Sequence, residues 1–470
     1  MEKSLSSVPT IRPPLDEAFE PASLWLEAYR RIQDREGVSE PLKVCLTRPD
    51  GTVSVFETTV LPQRGEWRSL NRVFVERLVK TLLWCRGGYK VTLAGDPEHA
   101  AWIREVYRPG GAREFDHGFM GKKIYLRPFE VEHRPLEEAP EPRESTSSLG
   151  RHMDGCRVGF DLGGSDRKCA AMKDGEVVFM DEVPWDPYFQ SDPRYHYEGI
   201  DDSIKRAAAH LPRVDAIGGS AAGVYMHNEV RAASLFRGVS QEDFDRSIRR
   251  IFFDLKEAWG GVPFEVVNDG EVTALAGSMS LGETAILGIA MGTSQAAGFV
   301  TEEGRITDWL NELAFVPVEF REDAPRDEWS GDRGCGVQYF SQQAVGRLIG
   351  PAGLEVPAGL PLPEKLVRVQ EYMAAGDERA RKIYETVGVY FGYAVAWYRE
   401  FYPLRNVLLL GRVASGPGGG IILDAAKKVL EEAFPAVAAE VTLRTPGEKE
   451  KRLGQAVAAA TLPRIEASKE

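Results

Sequence analysis

The sequence predicts an α/β protein: two large α/β halves facing a cleft, preceded by a small α/β unit. Three observations carry this. From residue 156 onward, short apolar runs alternate with helical patterns, as strands alternate with helices in α/β folds. Several of these runs stop at glycines, in "GFDLGGS", "VDAIGGSAAG", "AMGTSQ" and "LLLGRVASG". A chain of 470 residues is too long for one compact core and fits two or three domains.

Taken in order, residues 1–133 hold "LKVCLTRPDGTVSVFETTVL", two strands around Pro49-Asp50-Gly51. "SLNRVFVERLVKTLLWCRGG" reads as an amphipathic helix capped by Ser69 and stopped by glycines. A strand "YKVTLAGD", a helix "PEHAAWIREVY" and a strand "KKIYLRPFEVE" complete an accessory or dimerisation domain, so a homodimer is an admissible assembly. Residues 134–155, rich in proline, glutamate and serine, read as a linker. Residues 156–280 form a first lobe, with helices in "IDDSIKRAAAHL" and "SQEDFDRSIRRIFFDLKEAW" and a strand "VPFEVVNDG". Residues 281–470 form a second lobe, from "TAILGIAMGTSQAAGFV" to "LGQAVAAATL".

Composition narrows the partner. With 43% hydrophobic and 27% charged residues, wholesale disorder is excluded. A formal net charge of -13 argues against nucleic acid or an anionic membrane and favours a small molecule. Cys45, Cys85, Cys156, Cys169 and Cys335 contain no CxxC pair, which suggests neither a disulfide framework nor a zinc ribbon. No apolar run has signal-peptide or membrane-spanning character, so a soluble cytoplasmic protein is expected.

The glycine-bearing strand ends are the candidate chemistry. In "GFDLGGSDRK" the carboxylate of Asp161 projects from a strand end, where Gly163 and Gly164 let backbone N–H groups approach a phosphate. Asp161 would then hold magnesium through water, although the same residues also read as a plain tight turn. Gly292 and Thr293 make a second hairpin tip, and two such tips can clamp one polyphosphate. Read alone, the second is an ordinary hairpin. Gly411 ends a buried strand before Gly418, Gly419, Gly420 and a helix, a place for a nucleoside or a surface loop. Asn268 and Asp269 open a helix, where Asp269 can be an N-cap, a catalytic base, or both.

The order of these segments resembles the sugar kinase, actin and Hsp70 superfamily, and within it the ROK family of sugar kinases and related repressors, over residues 156–464. "DLGGSDRK" stands where that family has DxGGT, with Ser165 for threonine, and "NDGEVTALAG" stands where it has NDANAAALGE. The resemblance implies a two-lobed actin-like ATPase fold built from duplicated ribonuclease H-like domains, with the small N-terminal α/β domain added. It implies ATP and magnesium as cofactors and a sugar or polyol as partner, held between the lobes. Asp269 takes the base role. Asn268, Glu312, Gly219 and Ser220 are the substrate-binding candidates; Gly163, Gly164, Ser165, Lys168, Gly292, Thr293 and Gly411 are the ATP-binding ones.

The chain also departs from the family. Phe315 stands at the histidine that usually ligates a structural zinc, and of the cysteine-rich motif only Gly334, Cys335 and Ser341 match, so no structural zinc is expected. Val337 replaces a sugar-contacting glutamate, and Ser234-Leu235 replaces an asparagine-leucine pair. The expected activity is ATP-dependent phosphorylation of a sugar-like alcohol on a rebuilt acceptor pocket. A non-catalytic sugar- or nucleotide-binding regulator is the alternative. An acceptor-free activator-type ATPase fits less well, because its iron–sulfur centre needs clustered cysteines. Asp166, Arg167 and Lys168 lie outside the family pattern and are candidates for phosphate or lobe contacts, or for a solvated charge cluster.

Overall fold

The computed structural model describes residues 5, 8–144, 149–445 and 454–465. Two compact units alternate along the chain: one takes residues 1–145, 289–296 and 309–445, the other 146–288, 297–308 and 446–470. Residues 8–144 thus share a unit with 309–445 instead of forming one of their own.

The N-terminal part of the first unit runs α1 (Ala22–Glu36), β1 (Glu40–Thr47), β2 (Val53–Val60), α2 (Trp67–Arg86), β3 (Lys90–Ala94), α3 (Pro97–Val106), α4 (Glu114–Gly118) and β4 (Glu130–Arg134). Its sheet has the order β2-β1-β3-β4, with β1 antiparallel to both neighbours. The expected hairpin is present, its turn tied by Asp50, whose Oδ1 accepts from the Thr52 N–H at 2.9 Å. Ser69 lies inside α2 instead of capping it, and its hydroxyl donates to the Glu66 carbonyl. "KKIYLRPFEVE" is not one strand. Phe119–Tyr125 forms a wide π-type turn that Leu126 ends at a φ of 52°, and only Glu130–Arg134 pairs. Within the expected linker, Arg143 pairs its backbone with Val53, and residues 145–148 lie outside the described residues.

The second unit is built on β5 (Cys156–Leu162), β6 (Asp166–Lys173), β7 (Glu176–Pro184), β8 (Ala216–Ala221), the short pair β9 (Val224–Met226) and β10 (Glu229–Ala232), and β11 (Phe264–Asn268). Its sheet is ordered β11-β8-β5-β6-β7; β5, β6 and β7 are antiparallel, whereas β8 and β11 run parallel to β5. Helices α5 (Pro193–Ala208), α6 (Gln241–Asp243), α7 (Ile251–Ala258) and α8 (Asp269–Leu281) follow the parallel-sheet pattern, and Ile200, Ile204, Phe252 and Leu255 bury against Val158, Phe160 and Ile217. The stretch expected as one helix at 240–259 is broken at Arg249 and Arg250.

The chain continues through β12 (Ile286–Met291), β13 (Gln295–Val300), α9 (Gln342–Ala352), α10 (Leu362–Ala374), α11 (Glu378–Arg399), β14 (Asn406–Leu410), α12 (Pro417–Ala433), α13 (Pro435–Glu440) and β15 (Thr442–Arg444), with sheet order β13-β12-β14-β15. Gly418, Gly419 and Gly420 are the first turn of α12 and not a loop before it. The last described helix, α14 (Gln455–Ala460), belongs to the second unit and lies directly on β5 and β8. Gly159 and Gly218 are register partners there, and a Cβ on either would fall 1.8 Å from a backbone oxygen of α14. Only glycine lets helix and sheet approach so closely.

Candidate functional site

Strand pairing in the second unit assembles one set of the expected residues. Asp161, near the end of β5, sits opposite Lys168 on β6 and Ser220 on β8. The Ser220 hydroxyl donates to Asp161 Oδ1 at 2.6 Å, and Lys168 Nζ lies 3.9 Å from Oδ2 while donating to Asp166 Oδ1 at 2.7 Å. Asp161 is 4% exposed, and burial pushes its carboxyl up to about 6 against the opposing pull of Ser220 and Lys168. Side chains alternate across a strand, so Arg167 turns to the other face. There it is buried and donates to Ser203 Oγ and Asp202 Oδ2. The "DRK" cluster therefore splits into a structural arginine and a lysine beside Asp161.

The hairpin after Asp161 closes through the Gly163 N–H, which donates to the Asp166 carbonyl at 2.9 Å. Trp185 Nε1 donates to the Gly163 carbonyl, and the Tyr188 hydroxyl rests on Gly164 where a Cβ would stand. Ser165 is exposed and donates to Asp166 Oδ2. Gly219 is fully enclosed beneath the Phe160 ring, 2.2 Å from where its Cβ would be.

Asn268 and Asp269 stand where β11 passes into α8. Asn268 caps the helix, its Oδ1 accepting from the Gly270 N–H at 2.7 Å while its Nδ2 donates to the Gly223 carbonyl at 2.6 Å. That fixes the turn and leaves Asp269 as the first helical residue. Its half-buried carboxylate accepts from the Gly270 N–H at 3.0 Å, and no cationic side chain lies within 4 Å of it among the described residues. Burial raises its pKa, and the Gly270 bond opposes the rise. Gln455 of α14 donates to the Asp269 carbonyl and to Thr273, a support that sequence reasoning did not find.

The first unit assembles the other set. The tip at half-buried Gly292 and exposed Thr293 is held by the Gly292 carbonyl, which accepts from the Gln342 N–H at the start of α9. Gly411 has a φ of 92°, and a Cβ there would lie 2.5 Å from the Met291 carbonyl oxygen, so the glycine loops after β12 and β14 are adjacent. Glu312 follows Asn311, which has a φ of 53°, and begins the turn Leu313–Phe315. Phe315 stacks on Trp84 with ring centroids 4.2 Å apart and also packs on Phe115 and Phe119. Cys335 and Val337 are buried beside it, and burial pushes the Cys335 thiol up. Among the described residues no group of three or more histidine, cysteine, aspartate or glutamate side chains is placed to hold a metal ion. No described helix is long and apolar enough to cross a membrane.

No protein-family model and no curated protein matches the sequence. Solved structures do. The ROK hexokinase from Thermus thermophilus matches with a TM-score of 0.50 at 21% identity, over 65% of this chain and 97% of that one. The chain has the ROK fold. A ROK family glucokinase from Streptomyces griseus, in complex with glucose and AMPPNP, matches at 0.45 and 20% identity, over 65% and 98%. A ROK family transcriptional regulator described as a homolog of the E. coli MLC protein matches at 0.49 and 16%, over 83% and 96%. The ROK fold bears out the actin-like ATPase fold class expected from the strand-end motifs.

Proposed function

We propose that the protein transfers the γ-phosphoryl group of ATP to a hydroxyl of a sugar or sugar-like alcohol. Asp269 carries the reading. It is a carboxylate fixed by a strand-to-helix turn, lacking a cationic partner among the described residues and raised in pKa by burial, as a general base requires. It would accept the proton of the acceptor hydroxyl as that oxygen attacks phosphorus, with Asn268 and Glu312 orienting the acceptor. Ser220 contributes by holding Asp161, whereas Gly219 lies on the opposite face of β8 beneath the Phe160 ring. The backbone at Gly163, Gly164, Ser165, Gly292, Thr293 and Gly411, together with the Lys168 ammonium, would receive the nucleotide. The ROK fold, shared with a hexokinase, supports this reading.

Magnesium fits Asp161 in one manner. A single buried carboxylate can hold, through water, a cation whose other ligands are phosphate oxygens and water. Bound there, magnesium would neutralise charge on the phosphates. Phosphoryl transfer otherwise depends on positioning.

Release of ADP from magnesium–ATP, followed over a panel of hexoses, amino sugars and polyols, tests the reading. Activity with at least one acceptor, falling about 10²–10⁴-fold in kcat for Asp269→Asn with little change in the KM for ATP, is the expected result. No turnover in the natural protein, or turnover indifferent to Asp269→Asn, leaves the regulator reading.

A further inference from the structure

The helix α2 ends in an accounting that points away from mere packing. A helix leaves its last four carbonyls without intrahelical donors, and buried carbonyls need partners. In α2 these are Leu83, Trp84, Cys85 and Arg86. Leu83 accepts from the Gly87 N–H at 2.8 Å, and Arg86 accepts from Arg48 Nη2 at 3.0 Å. The other two are spent on consecutive amides of one distant loop: Cys85 accepts from the Asn311 N–H and Trp84 from the Glu312 N–H, both at 2.9 Å. Gly87 makes the approach possible. It has a φ of 77°, and a Cβ there would reach the Tyr125 hydroxyl and stand 3.4 Å from Leu310 Cβ.

The side chains repeat the tether. Trp84, fully buried, presents its ring face to Phe315, three residues past Glu312. Its Nε1 donates to Asp116 Oδ1 at 2.8 Å, and Lys80 donates to both oxygens of Asp116 at 3.0 Å. Lys80 also pairs with Asp332 at 3.3 Å, and Arg77 and Arg113 pair with the same carboxylate. From the far side, the Tyr402 hydroxyl donates to Asn311 Oδ1 at 3.0 Å. The backbone that carries the Glu312 side chain therefore hangs from the N-terminal segment by two hydrogen bonds and a ring stack, with a buried ion network behind the stacked tryptophan.

We propose that residues 67–118 are the scaffold that fixes Glu312 for acceptor binding, with Trp84 as the positioning residue through its ring stack on Phe315. The proposal rests on the reading of Glu312 as an acceptor contact. Misplacing such a group by about 1 Å can cost about a hundredfold.

Trp84→Ala removes the stack and the bond to Asp116, whereas Trp84→Phe keeps the stack. Phe315→Ala removes the stack from the loop side, should Trp84→Ala not fold. Amide hydrogen exchange of the peptide over residues 309–316 and steady-state kinetics with separate KM values for acceptor and ATP are the two measurements. In Trp84→Ala and Phe315→Ala, exchange in that peptide and the acceptor KM are each expected to rise about tenfold, with the KM for ATP within about twofold and Trp84→Phe near the natural protein. Unchanged exchange, or KM values that rise together for both substrates, overturns the proposal. If the natural protein phosphorylates no acceptor, the kinase reading fails first. The scaffold role is then decided by calorimetric affinity for the same sugars: a loss in the two alanine variants that Trp84→Phe restores supports it, and unchanged affinity or no binding overturns it.

Discussion

Replacing Gly218 with alanine would put a methyl group where the backbone of α14 already lies. The new Cβ falls 1.8 Å from the carbonyl oxygen of Ala459 and 2.6 Å from the carbonyl carbon. Carbon and oxygen settle at about 3.3 Å or more, so the helix must lift by about 1.5 Å. Both groups are backbone, with no rotamer to change. The lift draws Ala456, Val457 and Ala460 away from Ala170 and Met172 and strains the bonds from Arg157 to the carbonyls of Ala460 and Pro463. Overpacking of this kind costs about 1–3 kcal/mol. Gly159 meets the same helix at the Ala456 oxygen. A helix lifted by one methyl makes room for the other, so the double variant is expected to lose about 1 kcal/mol less than the two singles together. Urea unfolding, with hydrogen exchange in β5 and β8 to assign the loss to the second unit, measures both quantities. A cost under about 0.5 kcal/mol for Gly218→Ala, or strictly additive costs, would refute the reasoning. Gly164→Ala is the control: its Cβ meets only the hydroxyl end of Tyr188, which can swing aside.

Two further outcomes follow from buried charge in the first unit. Glu319 is fully buried, and burial pushes its carboxyl from 4.5 up to about 7, against bonds from Tyr339 and Arg321 that pull it down. The native state therefore holds that proton more tightly than the unfolded chain, and stability falls as pH rises from about 4.5 to 7, by about 3 kcal/mol in all. Glu319→Gln, which mimics the protonated form, should match the natural protein near pH 4 and melt at higher temperature at pH 8; the reverse order at pH 8 would sink the argument. Lys80→Met leaves Asp116 buried without its ammonium partner and should cost about 3–5 kcal/mol, read from urea midpoints.

Much of the second unit was legible because its residues are local. Asp161, Asn268 and Asp269 each stand at a strand end that hydrophobic runs and glycines mark. Their alignment with Ser220 and Lys168 was not legible, since it depends on which strands become neighbours and in what register. Arg167 illustrates this: its charge suggested solvent or phosphate, whereas the β6 register turns it toward α5. The π-type turn at Phe119–Tyr125 was missed because apolar spacing over a few residues does not separate strand from helix. Least visible was the partnership of Trp84 with the loop at Glu312, a contact between distant segments with no periodic trace. One signal did exist. Phe315 stands where the ROK resemblance expects a metal ligand, yet Glu312 beside it is kept, so another support for that loop was to be sought.

The interleaving of the two units has a consequence for biosynthesis. Helix α14 closes the sheet that carries Asp161 and steadies the first turn of α8 through Gln455, yet it follows the whole of residues 309–445 in the chain. At about 5–20 residues per second, the nascent segment 149–288 waits on the order of ten seconds or more for the helix that covers Gly159 and Gly218. During that interval the bare face of β5 and β8, smooth with glycine, is open to any passing chain. Translation speed and chaperone supply, more than equilibrium stability, would then set the yield of folded protein in a cell.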